Sequence, residues 1–259
     1  MRLLRPLEPI SKLPALVAGA AIGVIILLAW SVTTYGGMVR TDFLPEPHRV
    51  ITALITYLGN GRLIESIWVS SRVVLLGFVF SALLAIPIGL FMGSFRLVQA
   101  GFEPTINFIR YLPVTSMVPL LILWLGIGIE QKVAVIFIGT FFQQVVMVTD
   151  VVSHTPKDLV YASYTLGTGR FSAVFRVLLP YALPGICDAM RITMGWAWTY
   201  LVVAELVAAN SGLGYLSLQA MRGFRVDIIF MAILVIGLLG MFFDLIFRLT
   251  RRHLLSWAD

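Results

Sequence analysis

Cysteine occurs once, at Cys187, histidine three times, and only 12% of the 259 residues are charged. A lone cysteine excludes an intramolecular disulfide framework and any cysteine-cluster metal site. His48, His154 and His253 fall in predicted loops or the tail, with no His-Glu zinc motif and no paired intramembrane carboxylates beside them. A reaction centre would lack its acid and base, so no catalytic residue and no metal ligand is assigned. Lysine is equally scarce, and none of Lys12, Lys132 and Lys157 precedes serine or threonine. The chain therefore has no phosphate-binding loop of the usual kind and cannot hydrolyse ATP by that route. Low-complexity tracts and short-period repeats are also missing, which points to one compact helical bundle.

What is abundant is apolar: 59% of the residues are hydrophobic. Crossing an apolar layer of roughly 30 Å takes about 20 helical residues. Runs of that kind recur at Pro14 to Tyr35, Ile67 to Ser94, Pro104 to Leu125, Val133 to Val152, Leu183 to Ala209 and Ile228 to Phe247. The expected fold class is an all-α membrane protein with six transmembrane helices. The first run follows Arg2, Arg5 and Lys12 but is too long for a signal peptide and lacks a clear cleavage pattern, so it is expected to be retained.

The formal net charge of +6 comes from basic residues scattered among loops, without the basic face that nucleic-acid binding needs. It reads better as orientation. With the N-terminus inside, cytoplasmic segments collect Arg2, Arg5, Lys12, Arg96, Lys157, Arg170, Arg176, Arg248, Arg251 and Arg252. Outer segments collect Arg40, Arg49, Arg62, Lys132, Arg222 and Arg225. Both termini are then cytoplasmic, as an even number of spans requires. This divides the chain into an N-terminal segment, 1–13, a transmembrane domain, 14–247, with a large cytoplasmic loop, 153–182, and a tail, 248–259.

Between the first two spans, Pro45 and Pro47 rigidify an extended stretch. Ile51, Leu54, Ile55 and Leu58 follow at helical spacing, as in an interfacial or connector helix. Gly19/Gly23 and Gly89/Gly93 have the spacing that lets helix backbones approach closely in lipid. Pro113 and Pro119 break the third span, and backbone freed by proline in a membrane must be buried in protein or line a wet cavity.

The longest inner polar stretch runs from Ser153 to Pro180. Lys157 to Leu166 reads as a short helix, started by Thr155-Pro156 and stopped at Gly167. A second short helix is expected from Arg170 to Leu179, ended by Pro180. Two short helices joined at a glycine make a rigid projection suited to docking.

Here the chain resembles binding-protein-dependent ABC permeases. Their cytoplasmic signature is Glu-Ala-Ala, three residues, glycine, nine residues, then Ile-x-Leu-Pro. This chain offers Tyr161-Ala162-Ser163, Gly167, and Val177-Leu178-Leu179-Pro180 at the same spacing. Tyr161 stands where the family often carries an acid, which leaves no acid there for a salt bridge. Further patterns resemble the nitrate, sulfonate, taurine and bicarbonate branch, and among these the taurine and aliphatic sulfonate permeases above all. They are Arg110 to Pro113, Val118 to Leu120, Trp124 to Gly128, Arg191-Ile192 with Trp196 and Trp198, Val203 to Ala209, Ser211 to Tyr215, and Arg251-Arg252 to Trp257.

The resemblance implies a type I ABC importer permease fold in the bacterial inner (cytoplasmic) membrane. It also implies a second permease copy, a periplasmic substrate-binding protein, and two cytoplasmic ABC ATPase subunits. The ATPases would seat on Tyr161, Ala162, Ser163, Gly167, Val177, Leu179 and Pro180. ATP and Mg would be held by the partner ATPase, with no cofactor on this chain. The implied cargo is a small anion, a sulfonate such as taurine ahead of nitrate or bicarbonate, with aromatic carboxylates or thiamine precursors behind. A proton-coupled carrier is the alternative of a different class, but Asp188, Glu205 and Asp244 all lie nearer to helix ends than a mid-membrane titrating carboxylate would.

Charges inside spans are costly and face the bundle or a wet cavity. At about 100 degrees per residue, Arg191, Gly195, Trp198 and Glu205 fall on one stripe of the fifth span. Thr115 and Ser116 on the third span and Gln143 and Gln144 on the fourth add polar groups at mid-membrane depth. These residues form a candidate substrate pathway. The competing reading has Arg191 snorkelling, Glu205 paired within its subunit and Trp198 filling space. Arg72 and Arg110 carry the same pair of readings, an electrostatic aid to anions or structural pairing.

Overall fold

The computed structural model describes residues 11–207 and 209–255. Residues 1–10 with Arg2 and Arg5, Ala208, and residues 256–259 with Trp257 lie outside the described residues. The order is α1 (Lys12–Tyr35), α2 (Pro47–Gly59), α3 (Arg62–Ser94), α4 (Arg96–Arg110), α5 (Val114–Leu125), α6 (Ile129–Ser153), α7 (Lys157–Thr165), α8 (Arg170–Ala173), a π-helical turn (Val174–Leu178), α9 (Leu179–Val207), α10 (Leu213–Arg222) and α11 (Val226–Leu254). Among the described residues there is no strand.

Five helical runs are long and apolar enough to cross a membrane, and a bent pair makes up to six. That pair corrects the expected single helix over Pro104 to Leu125: α4 and α5 meet at 90°. Pro113 disfavours helical geometry at Leu112 and then starts α5 as its N-cap. α4 begins earlier than expected, at Arg96.

α3 and α6 form the central pair, and glycine sets their distance. A Cβ on Gly89 would lie 2.7 Å from Val148 Cβ and 2.9 Å from Val145 O. One on Gly93 would lie 2.6 Å from Val152 Cβ and 2.8 Å from Thr149 O, and Gly77 meets Ile136 in the same way. The Gly89/Gly93 spacing thus does what it predicts. Gly19 and Gly23 do not, since nothing lies within 4 Å of a Cβ on either. Every residue of α1 from Ala15 to Ala29 is exposed. The helix is held near its C-terminal end, where Trp30 Nε1 donates to Pro45 O at 2.9 Å and its ring stacks 5.9 Å from Phe230. α2 buries Val50 and Ala53 against the bundle and leaves Ile51 and Ile55 exposed.

Pro180 does not end a helix, contrary to expectation. The run from Arg170 to Val207 is continuous over 38 residues. Leu179 N–H donates to Val174 O, a five-residue step. Pro180 has no N–H to donate, and the widened turn before it lets the helix continue past that gap. α10 lies between the fifth and sixth expected spans, where the sequence signals no helix. Lys132, expected in an outer loop, is buried in the first turn of α6. α11 runs past Phe247 to Leu254.

Candidate coupling surface and buried polar sites

α7 ends as its sequence predicts. Gly167 has φ +81°, Thr168 N–H donates to Ser163 O at 3.0 Å and Gly167 N–H to Tyr164 O at 3.0 Å. The paired bonds close the last turn around a left-handed residue. The start differs: Pro156 is the N-cap and no side chain caps α7, so Thr155 is not the acceptor expected there. Of the residues assigned to ATPase docking, Tyr161, Ala162 and Gly167 are exposed, while Val177, Leu179 and Pro180 are half-buried. Ser163 is buried and donates to Val160 O at 2.7 Å.

The projection is fastened to the bundle by phenylalanines that spacing alone did not reveal. Phe91 and Phe95 stack with centroids 6.3 Å apart where α3 gives way to α4. Phe95 lies 5.6 Å from Phe171, and Phe91 lies 6.2 Å from Phe175. Two pairs four residues apart therefore clasp, Phe91 with Phe175 edge to face and Phe95 with Phe171 tilted, each worth about 0.5–1.5 kcal/mol beyond area burial. Leu159, Tyr161, Leu166, Phe171 and Phe175 leave an exposed apolar patch around this clasp. Patches of this kind mark interaction surfaces.

The candidate pathway residues occupy different environments. Thr115 and Ser116 are exposed on α5 and Gln143 is half-buried on α6. Gln144 is fully buried: its Oε1 accepts from Ser81 Oγ at 2.6 Å, and Nε2 donates to Thr193 Oγ1 at 3.3 Å. It links α3, α6 and α9. Arg191 pairs with Asp244 at 3.5 Å, Asp244 also pairs with Arg248, and Asp188 pairs with Arg251 at 3.2 Å. The Arg191–Asp244 and Asp188–Arg251 pairs join α9 to α11. Trp198 is buried with its ring 5.9 Å from Phe243, whereas Gly195 is exposed, so the stripe does not share one environment. Arg72 is exposed and makes no ion pair among the described residues. Arg110 lies against the ring of Tyr111 at 5.0 Å.

Glu205 sits in a buried knot at the far end of α9 from α7. Its Oε2 accepts from Gly214 N–H at 2.8 Å, and Ser70 Oγ lies 3.0 and 3.1 Å from its two oxygens. Ser70 Oγ also accepts from Leu213 N–H at 2.9 Å. Lys132 Nζ stands 3.7 Å from Oε1 and donates to Ser211 O at 3.0 Å. Both side chains are almost wholly buried, so the charges compensate each other where neither could stand alone. Gly212, with φ +114°, leaves room for the carboxylate: a Cβ there would lie 2.0 Å from Oε1. Sequence reasoning does not pick out Ser70, Lys132 and Gly214 as partners of Glu205, nor Gly212 as the residue that makes room for its carboxylate. The available signal was Ser211-Gly212-Leu213-Gly214, two glycines at a helix start. Among the described residues no group of three or more His, Cys, Asp or Glu could hold a metal ion.

An all-helical bundle with five or six runs long and apolar enough to cross a membrane, and a short helix pair projecting from one end, has the architecture of a multi-pass membrane protein. The chain belongs to the family of binding-protein-dependent transport system inner membrane components, which matches residues 85–255. A Brucella abortus (strain 2308) protein named "Probable ABC transporter permease protein" is 37% identical over 230 residues, covering 89% of this chain and 91% of that one. The taurine transport system permease protein TauC of Escherichia coli (strain K12) is 30% identical over 254 residues, covering 96% and 92%. In fold, the chain is similar to a chain of the MetNI methionine ABC transporter in an inward-facing conformation. The TM-score is 0.61 at 23% identity, over 72% of this chain and 95% of that one. The protein is thus a multi-pass inner-membrane permease of the ABC importer type and not an ATPase.

Proposed function

We propose that this chain forms the membrane path of an ATP-driven importer for a small sulfonate anion, taurine or an aliphatic sulfonate, handed over by a periplasmic binding protein. The ATP-driven part is supported by one observation. The stretch that carries the family spacing, Tyr161 to Pro180, forms a projection with an exposed apolar patch and a left-handed Gly167 between its helices. Two cytoplasmic ATPase subunits holding ATP and Mg would each seat on one such projection, in a complex containing two copies of this chain. The cargo rests on likeness to the taurine permease, with nitrate and bicarbonate as competitors. Of the candidate pathway residues, Thr115, Ser116 and Gln143 are not buried and their side chains make no hydrogen bond among the described residues, which leaves them available to a passing anion, whereas Trp198 Nε1 is also unpartnered but buried.

The test is reconstitution of the chain with its ATPase and binding protein in proteoliposomes. ATP-dependent taurine uptake is expected, and Gly167→Val is expected to abolish it. Uptake by the chain alone under a pH gradient would overturn the ATP-driven reading. Uptake of nitrate or bicarbonate in place of sulfonates would replace the cargo.

A further inference from the structure

A cavity of about 260 Å³ lies between α7 and the ends of α3 and α6. At ~30 Å³ for each water in the liquid, it holds far more than one solvent molecule. Arg96, Lys157 and Arg170 line it together with Tyr161, Tyr164 and Thr155, and no aspartate or glutamate is among its lining residues. Lys157 and Arg170 make no ion pair among the described residues, while Arg96 donates to Gln99 Oε1 at 3.0 Å. Thr155 is 7% exposed, and its Oγ1 is buried with no hydrogen-bond partner. A buried hydroxyl without a partner is costly, so an acceptor that reached Thr155 Oγ1 would relieve that cost.

Three cations, a buried hydroxyl and two phenols form a donor-rich wall with no acid to neutralise it. That chemistry matches an oxyanion with several acceptor oxygens, to which charge-assisted donors bind most strongly. The position matters as much. Basic residues beside tyrosines at the ends of membrane helices sit where lipid phosphates lie.

We propose that this cavity binds a phosphate group, from an anionic phospholipid headgroup or from free inorganic phosphate. Bound there, the phosphate braces α7 against the ends of α3 and α6. The bracing bears on transport only through the proposed role of α7 in ATPase docking, whereas binding itself does not depend on that role.

The experiment uses the full permease with its ATPase in neutral phosphatidylcholine nanodiscs, followed by thermal unfolding through tryptophan fluorescence. One arm adds inorganic phosphate against chloride at matched ionic strength. The other compares nanodiscs with and without phosphatidylglycerol. A rise in Tm with phosphatidylglycerol assigns the site to a headgroup, and a rise with phosphate alone assigns it to the free anion. Lys157→Gln with Arg170→Gln is expected to abolish the rise. Thr155→Val, which removes the orphaned hydroxyl, is expected to weaken the anion dependence about tenfold while the protein stays folded. No rise in either arm, an equal rise with chloride, or a rise undiminished in both variants would overturn the proposal. ATPase retention on the same samples is scored separately, so failure of the docking role is distinguishable from failure of anion binding.

Discussion

Glu205 and Gly214 meet at 2.8 Å across the break between α9 and α10, carboxylate to backbone amide. The bond makes a buried side chain the fastener for a helix start. Lys132 and Ser70 bring α6 and α3 to the same point. Removing one member strands the others. Lys132→Met is expected to destabilise the protein by about 3–5 kcal/mol, because Glu205 would be left as an uncompensated buried charge. Gly212→Ala is expected to be at least as severe, since its Cβ has no room beside Glu205 Oε1. Unfolding in detergent, read by size-exclusion profile against temperature, checks both. Wild-type melting in either variant would show that the knot does not hold the fold.

The α3–α6 contact makes an internally controlled prediction. Gly89→Val is expected to cost about 1–3 kcal/mol by overpacking, or to push the helices apart and prevent accumulation in the membrane. Gly19→Val, with nothing within 4 Å, is expected to stay within about 0.5 kcal/mol of wild type. Equal effects at the two sites would show that glycine spacing and not helix contact governs the outcome.

Phe95→Ala opens the phenylalanine clasp without touching the exposed face of α7. The expected result is an ATPase that still co-purifies but whose hydrolysis no longer rises when loaded binding protein is added. Retained stimulation would show that α7 and α8 do not act through α3 and α4.

Gln144 and its neighbour Gln143 separate structure from transport. Gln144→Leu breaks the Ser81 and Thr193 bonds and is expected to cost about 0.6–1.7 kcal/mol. Gln143→Ala and Ser116→Ala together are expected to leave melting unchanged and to alter uptake kinetics. Unchanged uptake in a normally assembled complex would remove them from the pathway.

Much of this architecture is legible in the sequence because lipid enforces long apolar helices and glycine advertises its own conformations. The spans, the stop at Gly167 and the close approach at Gly89 and Gly93 are of that kind. The misreadings share another origin. Pro180 reads as a terminator because a one-residue helix expansion leaves no composition signal. The bend at Pro113 is legible as a break, but its 90° angle is set by packing. Lys132 reads as a loop cation because its partner is 73 residues away, and no local pattern announces an ion pair at that separation. Helical phase alone admits both readings of Glu205, pathway stripe and pair within the subunit, because it cannot tell a wet face from one closed by its neighbours.

The continuous helix from Arg170 to Val207 has a mechanical consequence. At 1.5 Å per residue it is a rod of about 57 Å, so a tilt of about 5° at one end sweeps the other through about 5 Å. One end carries the projection clasped by Phe95, and the other carries Glu205 with α10 fastened to it. A lever built in one piece needs no relay of loops. The π turn and Pro184 are the places where its hydrogen-bond ladder departs from a regular α-helix, so substitutions there are the ones expected to change how far a tilt at one end is felt at the other.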